Sequence, residues 1–200
     1  MAEQYFAKRP SALSKPVETE IEYRGHRLRF VTDSGVFSRG SVDEGSALLL
    51  ESLPALAGRV LDLGCGVGVI GVCAAKVNHI DLIQSDVNER ALALTRENQK
   101  HNGVDGTVVE SDGFAALDGV FDVILTNPPI RAGKPVIYRL FREARDHLTD
   151  NGTLYLVIRK QQGAESAKRY LETLFAKVDM INRRKGYWIL RCSGTGGINE

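Results

Sequence analysis

The chain has 200 residues, of which 43% are hydrophobic and 26% charged, with a formal net charge of +1. That length suits one well-buried domain (residues 1–200) rather than two, and the composition is that of an ordinary soluble globular protein. No apolar run reaches the roughly 18 residues that span a bilayer. The N-terminus "MAEQYFAKRPS" lacks the apolar core of a signal peptide, so a cytoplasmic location is the default expectation. Cys65, Cys73 and Cys192 cannot all pair with one another and form no Cys-x-x-Cys or Cys/His cluster, which argues against a disulfide framework or a zinc site.

In chain order, residues 1–17 are polar, contain Pro10 and Pro16, and are expected to wrap around the domain. "ETEIEYRGHRLRFVT" (18–32) alternates about Arg24-Gly25 and predicts a β-hairpin. "SVDEGSALLLESLP" (41–54) has helical spacing. From there strands and helices alternate. Strands are expected at 59–64, 79–86, 106–112, 120–127 and 151–160, with helices at 69–77, 88–103, 135–148 and 166–175. Asn102-Gly103 is a helix stop, and "KVDMINRRKGYWILRC" (177–192) reads as two strands joined at Lys185-Gly186.

Buried strands alternating with helices mean a mostly parallel α/β sheet covered on both faces, and the terminal strand pair must be antiparallel. Residues 1–40 form an extension and hairpin, and 41–192 the core. The ligand site of such a sheet lies at the carboxyl ends of its strands. Asp62, Asp86, Asp112 and Asn127 all fall at or just beyond those ends.

In "LDLGCGVGVIG", Gly64, Gly66 and Gly68 lie between a strand and a helix, where glycine permits a sharp turn and close approach of a ligand. A dinucleotide site has the spacing G-x-G-x-x-G; here the third glycine comes one residue early. Asp62 precedes the loop, where a carboxylate repels a pyrophosphate and suits a cationic amino group. Asp86 can accept both ribose hydroxyls, or else cap the next helix, although Asn88 can do that itself. Asp112 can accept from an adenine amino group, or be a simple turn residue. An amino acid end, a ribose and an adenine without a pyrophosphate describe S-adenosylmethionine. Expected cofactor contacts are Asp62, Gly64, Cys65, Gly66, Gly68, Asp86, Val87, Asp112, Gly113 and Asn127; Cys65 reads as a small buried residue rather than a reactive one.

The strand "VFDVIL" runs into "TNPPI" (126–130). Pro128 and Pro129 have fixed φ, and the residue before a proline is held extended. The turn is therefore stiff, with carbonyls that can face a ligand beside the Asn127 oxygen. Acceptors converging there can hold the two hydrogens of an exocyclic NH2 group and free its lone pair for attack on a methyl group, without a strong base.

These stretches resemble the class I S-adenosylmethionine-dependent methyltransferases with an Asn-Pro-Pro motif. "TDSGVFSRG" and "NPPIRAGK" are similar to the small-subunit ribosomal RNA guanine exocyclic-amine methyltransferases. The resemblance runs from about residue 5 to 192. It implies a Rossmann-like, seven-stranded, mostly parallel sheet with an antiparallel last strand, and Asn127, Pro128 and Pro129 as the catalytic turn. Longer members carry a degenerate second domain ahead of this one, and usually an aromatic residue where Ile130 stands here.

Phe37, Arg39, Ile130, Arg131 and Lys134 are the candidate substrate contacts, the basic ones for phosphates. Residues 60–130 carry 4 basic and 10 acidic side chains, whereas 131–185 carry 13 basic and 6 acidic. That polarity fits either solvated helix faces or a surface for a polyanion such as RNA. Competing readings are a protein glutamine-amide or small-molecule N-methyltransferase, a non-catalytic RNA-binding protein, and an NAD-dependent oxidoreductase, the last disfavoured by the glycine spacing.

Overall fold

The computed structural model describes residues 15–33 and 42–195. The expected wrapping segment up to residue 14, and Phe37 and Arg39, lie outside the described residues.

The order is β1 (Val17–Tyr23), β2 (His26–Thr32), α1 (Glu44–Ser52), β3 (Gly58–Leu63), α2 (Val69–Val77), β4 (Ile80–Asp86), α3 (Glu89–Asn102), β5 (Thr107–Glu110), β6 (Phe121–Thr126), α4 (Lys134–Asp146), β7 (Leu148–Arg159), α5 (Ala164–Leu171), β8 (Phe175–Arg184) and β9 (Tyr187–Thr195). A seven-stranded sheet has the order β5-β4-β3-β6-β7-β9-β8, and β1 and β2 form a separate antiparallel hairpin. The pairs joining β5, β4, β3, β6 and β7 are parallel. β9 runs antiparallel between β7 and β8. Both hairpins turn where the sequence places them: Arg24 and Gly25 have φ of 47° and 81°, and Lys185 and Gly186 have 49° and 81°. Two consecutive left-handed residues match the twist of the strands they join.

Each central strand feeds two cores. Val60, Val123, Leu125, Tyr155 and Val157 join the cluster under α1, α2, α3 and the hairpin. Leu61, Leu63, Ile124, Leu154, Leu156 and Ile158 join the cluster under α4 and α5. This two-sided burial is why the strands read as continuous apolar runs. Fully burying one such side chain contributes roughly 1.5–3 kcal/mol.

The hairpin is docked by amides rather than by a sheet. Asn98 Oδ1 accepts from Val31 N at 2.7 Å, and its Nδ2 donates to Val31 O at 3.0 Å and Val67 O at 2.9 Å. One turn along α3, Asn102 makes the same reciprocal pair with Arg29 N and O at 2.9 and 2.7 Å. Two asparagine side chains thus replace a missing neighbour strand and satisfy the β2 backbone. Among the described residues, no helix is long and apolar enough to cross a membrane.

Candidate active site

Leu63 pairs with Ser85 on one side and Thr126 on the other. Gly64, Asp86 and Asn127 therefore leave the sheet side by side at its carboxyl edge, the crevice in which open α/β sheets take ligands.

The loop after β3 uses its three glycines differently. All are left-handed, with φ of 69°, 56° and 85° at Gly64, Gly66 and Gly68. A Cβ on Gly64 or Gly66 would meet nothing within 4 Å, whereas one on Gly68 would fall 2.8 Å from Thr95 Cγ2. The first two leave the main chain open to a ligand, and the third lets the loop pack on α3. Cys65 N donates to Ser85 O at 2.9 Å. Burial, with Asp62 and Asp86 nearby, pushes the Cys65 thiol well above its ordinary range, so it is a poor nucleophile.

Asp62 lies under the loop rather than at its lip. It is 1% exposed, and its Oδ2 accepts from Gly71 N at 2.8 Å and Gln84 Nε2 at 2.9 Å. Its Oδ1 is buried without a hydrogen-bond partner, an unmet acceptor of the kind that an ammonium group or an ordered water satisfies. Desolvation raises its pKa to about 6 against the opposing bonds from Gln84 and Gly71. Gly71 makes this arrangement possible, since a Cβ there would lie 2.5 Å from Gln84 Nε2.

Asp86 does not cap α3. Asn88 does, accepting from Arg90 N and Ala91 N at 3.0 and 3.1 Å. Asp86 instead accepts from Gly66 N and Asn88 N, both at 2.9 Å, and so ties the glycine loop to the end of β4, with half-buried Val87 next to it. Burial raises its pKa against these bonds. Asp112 lies beyond β5 with its side chain 72% exposed, 2.6 Å from Arg139 Nη2. Gly113 beside it is left-handed and buried; a Cβ there would lie 2.5 Å from Glu143 Oε2.

The Asn127 side chain has a fixed direction. Its Nδ2 donates to Asp43 Oδ1 at 3.2 Å and Ser46 Oγ at 3.1 Å, both at the start of α1. The carboxylate can only accept, so the amide nitrogen must face it and the amide oxygen must face away. At Pro129, φ −73° and ψ 75° make an inverse γ-turn, closed by Ile130 N donating to Pro128 O at 2.8 Å. Pro129 O accepts from Ala132 N, also at 2.8 Å. Each proline carbonyl thus spends one lone pair inside the turn. Ile130 is half-buried against the α4–α5 cluster. Arg131 and Lys134 are exposed, one on each side of Gly133 where α4 begins.

The sequence reading missed Asp43, Ser46, Gly71 and Gln84. Asp43 carries the local signature of a helix cap and does cap α1, accepting from Ser46 N at 2.9 Å. Nothing local points to a partner 84 residues away.

Residues 27–191 match the methyltransferase small domain family. The chain is 43% identical over 199 residues to the uncharacterized protein YbxB of Bacillus subtilis, covering 96% of this chain and 98% of that one. It is 39% identical over 177 residues to the ribosomal RNA small subunit methyltransferase C of Vibrio cholerae, covering 84% of this chain but only 50% of that one. The chain therefore spans about half the length of the relatives that carry that name. In fold it is similar to the T. thermophilus 16S rRNA N2 methyltransferase RsmC, solved in complex with AdoMet and guanosine, with a TM-score of 0.81 at 24% identity over 92% of this chain and 51% of that one. The seven-stranded sheet is the Rossmann-like methyltransferase fold.

Proposed function

We propose, from the premise that the chain belongs to the methyltransferase small domain family, that it methylates the exocyclic amine of a guanine in ribosomal RNA, with S-adenosylmethionine as the methyl donor. The observation that carries this reading is the Asn127 amide, turned by Asp43 and Ser46 and set beside the glycine loop by the Leu63–Thr126 pairing.

The residues at the crevice fit the cofactor. Gly64 and Gly66 border open space, the Asp86 carboxylate at the end of β4 beside them is an acceptor of the kind that ribose hydroxyls use, and the unmet Asp62 oxygen suits a cationic amino group. When bound, S-adenosylmethionine supplies an electrophilic methyl group on a sulfonium. The chain's own contribution is positioning. The Asn127 oxygen and a proline carbonyl accept the two N–H bonds of the target amine, orient its nitrogen, and disfavour delocalisation of its lone pair into the base. No general base is needed to start the reaction. The methylated nitrogen then gives up one proton, which these oxygens hydrogen-bond and which passes on to water.

Support for RNA comes from the edge of the sheet. The Arg159–Tyr187 pairing puts the β8–β9 turn, with Arg183, Arg184 and Lys185, at the carboxyl end of β7. Arg131 and Lys134 lie on that same edge, after β6. Lys134 opens α4, where a cation opposes the helix dipole at a cost of roughly 0.3–1 kcal/mol, and an anionic ligand would offset that cost.

The test is to incubate the protein with labelled cofactor and separate pools of ribosomal RNA, assembled small subunits and total protein. Label in RNA that is lost in Asn127→Ala supports the reading. Label confined to protein would replace it with glutamine-amide transfer.

A further inference from the structure

We propose that Asp43 and Ser46, at the first turn of α1, are positioning residues that fix the rotamer of Asn127. The proposal rests on the methyl-transfer reading for its consequence, and on geometry alone for its premise. An asparagine amide has two near-isosteric ends, and only one is useful at a site that must accept hydrogen bonds from an amine. Asp43 Oδ1, which can only accept, chooses between them at 3.2 Å from Asn127 Nδ2, and Ser46 Oγ, which bonds either end, anchors the chosen one at 3.1 Å. Turning the amide over would set its oxygen against the Asp43 carboxylate, two acceptors with no proton between them.

The α1 end is itself braced. Asp43 Oδ1 also takes Ser46 N at 2.9 Å, so one oxygen serves both the helix cap and the catalytic amide. Gly45 sits between Asp43 and β9, and a Cβ there would lie 3.0 Å from both Asp43 Oδ1 and Tyr187 Cε1. Lys185 in the β8–β9 turn bonds Glu44 beside it. The first turn of α1 is thereby held between the catalytic turn and the far edge of the sheet. Displacement there is transmitted to Asn127 through two hydrogen bonds.

Capping and positioning can be separated by substitution. Serine caps a helix about as well as aspartate but is too short to keep a bond to Asn127. Asparagine keeps both the cap and an acceptor oxygen at the same place. Asp43→Ser should lower kcat by at least about ten-fold, in the range expected for a misplaced reacting group, with cofactor Kd and Tm close to wild type. Asp43→Asn should recover most of that loss. In the Asn127→Ala background, Asp43→Ser should cost nothing further. Wild-type kcat in Asp43→Ser, or effects that multiply in the double variant, would overturn the proposal, as would a parallel fall of Tm and cofactor affinity. An inactive wild-type protein would instead remove the functional reading. The premise would still be decided by the side-chain amide NMR signals of Asn127, which must shift in Asp43→Ser and in Ser46→Ala; unchanged signals would overturn it.

Discussion

Arg139 Nη2 lies 2.6 Å from Asp112 Oδ1 and, through Nη1, 3.1 Å from Glu143 Oε1, so α4 holds the carboxylate that follows β5 at the edge of the sheet. Asp112 and Asp86 were both read as cofactor ligands, and their surroundings rank them. Asp86 is half-buried, with its pKa raised by that burial, and bonds the glycine loop, whereas Asp112 is exposed and shares its charge with Arg139. Asp86→Ala should weaken cofactor binding by about 1.5–3 kcal/mol, the range for a hydrogen bond to a charged group. Asp112→Ala should cost about 1 kcal/mol or less, because water already screens that carboxylate. Arg139→Ala should cost less than Asp112→Ala. Calorimetric titration of each variant checks the order, and a larger loss at Asp112 than at Asp86 would show that the adenine end dominates recognition.

Asp62 sets a pH dependence. Its folded pKa of about 6 lies above its ordinary value of 3.8, so the native state binds its proton more tightly than the unfolded chain does. Stability contributed by this group is full below pH 4, falls as pH rises from about 4 to 6, and stays low above that. At about 1.4 kcal/mol per unit the loss is roughly 3 kcal/mol. Asn at this position keeps an oxygen for Gly71 N and Gln84 Nε2 but does not ionise. The stability difference between Asp62→Asn and wild type should therefore move in favour of the variant between pH 4 and 6 and then level off. Denaturant midpoints at several pH values measure it. A difference that ignores pH would mean that Asp62 titrates normally. The same variant should bind cofactor more weakly, because the carboxylate that costs stability in the free protein is the one offered to the ligand's cation.

Most of the fold was legible because its signals are local. Arg24-Gly25, Lys185-Gly186 and Asn102-Gly103 mark turns and a helix stop by their own backbone preferences, and the apolar runs of β3, β6 and β7 announce burial on both faces. Element ends were less exact. β7 begins at Leu148, three residues before the expected start, and a register shift lies opposite it between Phe121 and Val123. α5 ends at Leu171 because Phe175 is taken into the pair with β9. In the candidate site, the residue types and their places at the strand ends could be read, but not their directions. That Asp62 turns inward depends on Gly71 and Gln84, and that Asn127 turns outward depends on Asp43; both are long-range choices made by packing.

The α3 amides make a stability prediction. Asn98 is fully buried and fills three hydrogen bonds to Val31 and Val67. Asn98→Ala leaves Val31 N, Val31 O and Val67 O short of a partner in a dry place, at about 1–3 kcal/mol for each group left truly unsatisfied. The expected total is roughly 3 kcal/mol or more, since some of these groups can recruit water. Asn98→Asp should be no rescue, because a carboxylate cannot donate to the two carbonyls. Chemical denaturation of both variants is the measurement. A loss below about 1 kcal/mol would show that Leu28, Phe30 and the Asn102 pair hold the hairpin without Asn98.

Only part of the positive segment 131–185 borders the crevice: Arg131 and Lys134 follow the proline turn, and Arg183 stands near the end of β8, just before its turn into β9, while Arg142 and Arg145 lie toward the other end of α4. If the substrate is RNA, the bordering residues meet phosphates and the distant ones do not. Each phosphate contact releases counterions, so the log–log salt slope should change by about 0.7 per contact on single strands. Arg131→Ala with Lys134→Ala should weaken RNA binding and flatten the slope by about one to two units, and Arg183→Ala by less than one. Arg142→Ala with Arg145→Ala, the same change in net charge at the far end, should leave the slope nearly unchanged. Cofactor affinity should not move in any of them. Equal effects from the near and far pairs would mean that RNA responds to net charge without a defined footprint. No salt dependence at all would remove RNA as the substrate and leave an uncharged acceptor, such as a glutamine amide, for Asn127 to orient.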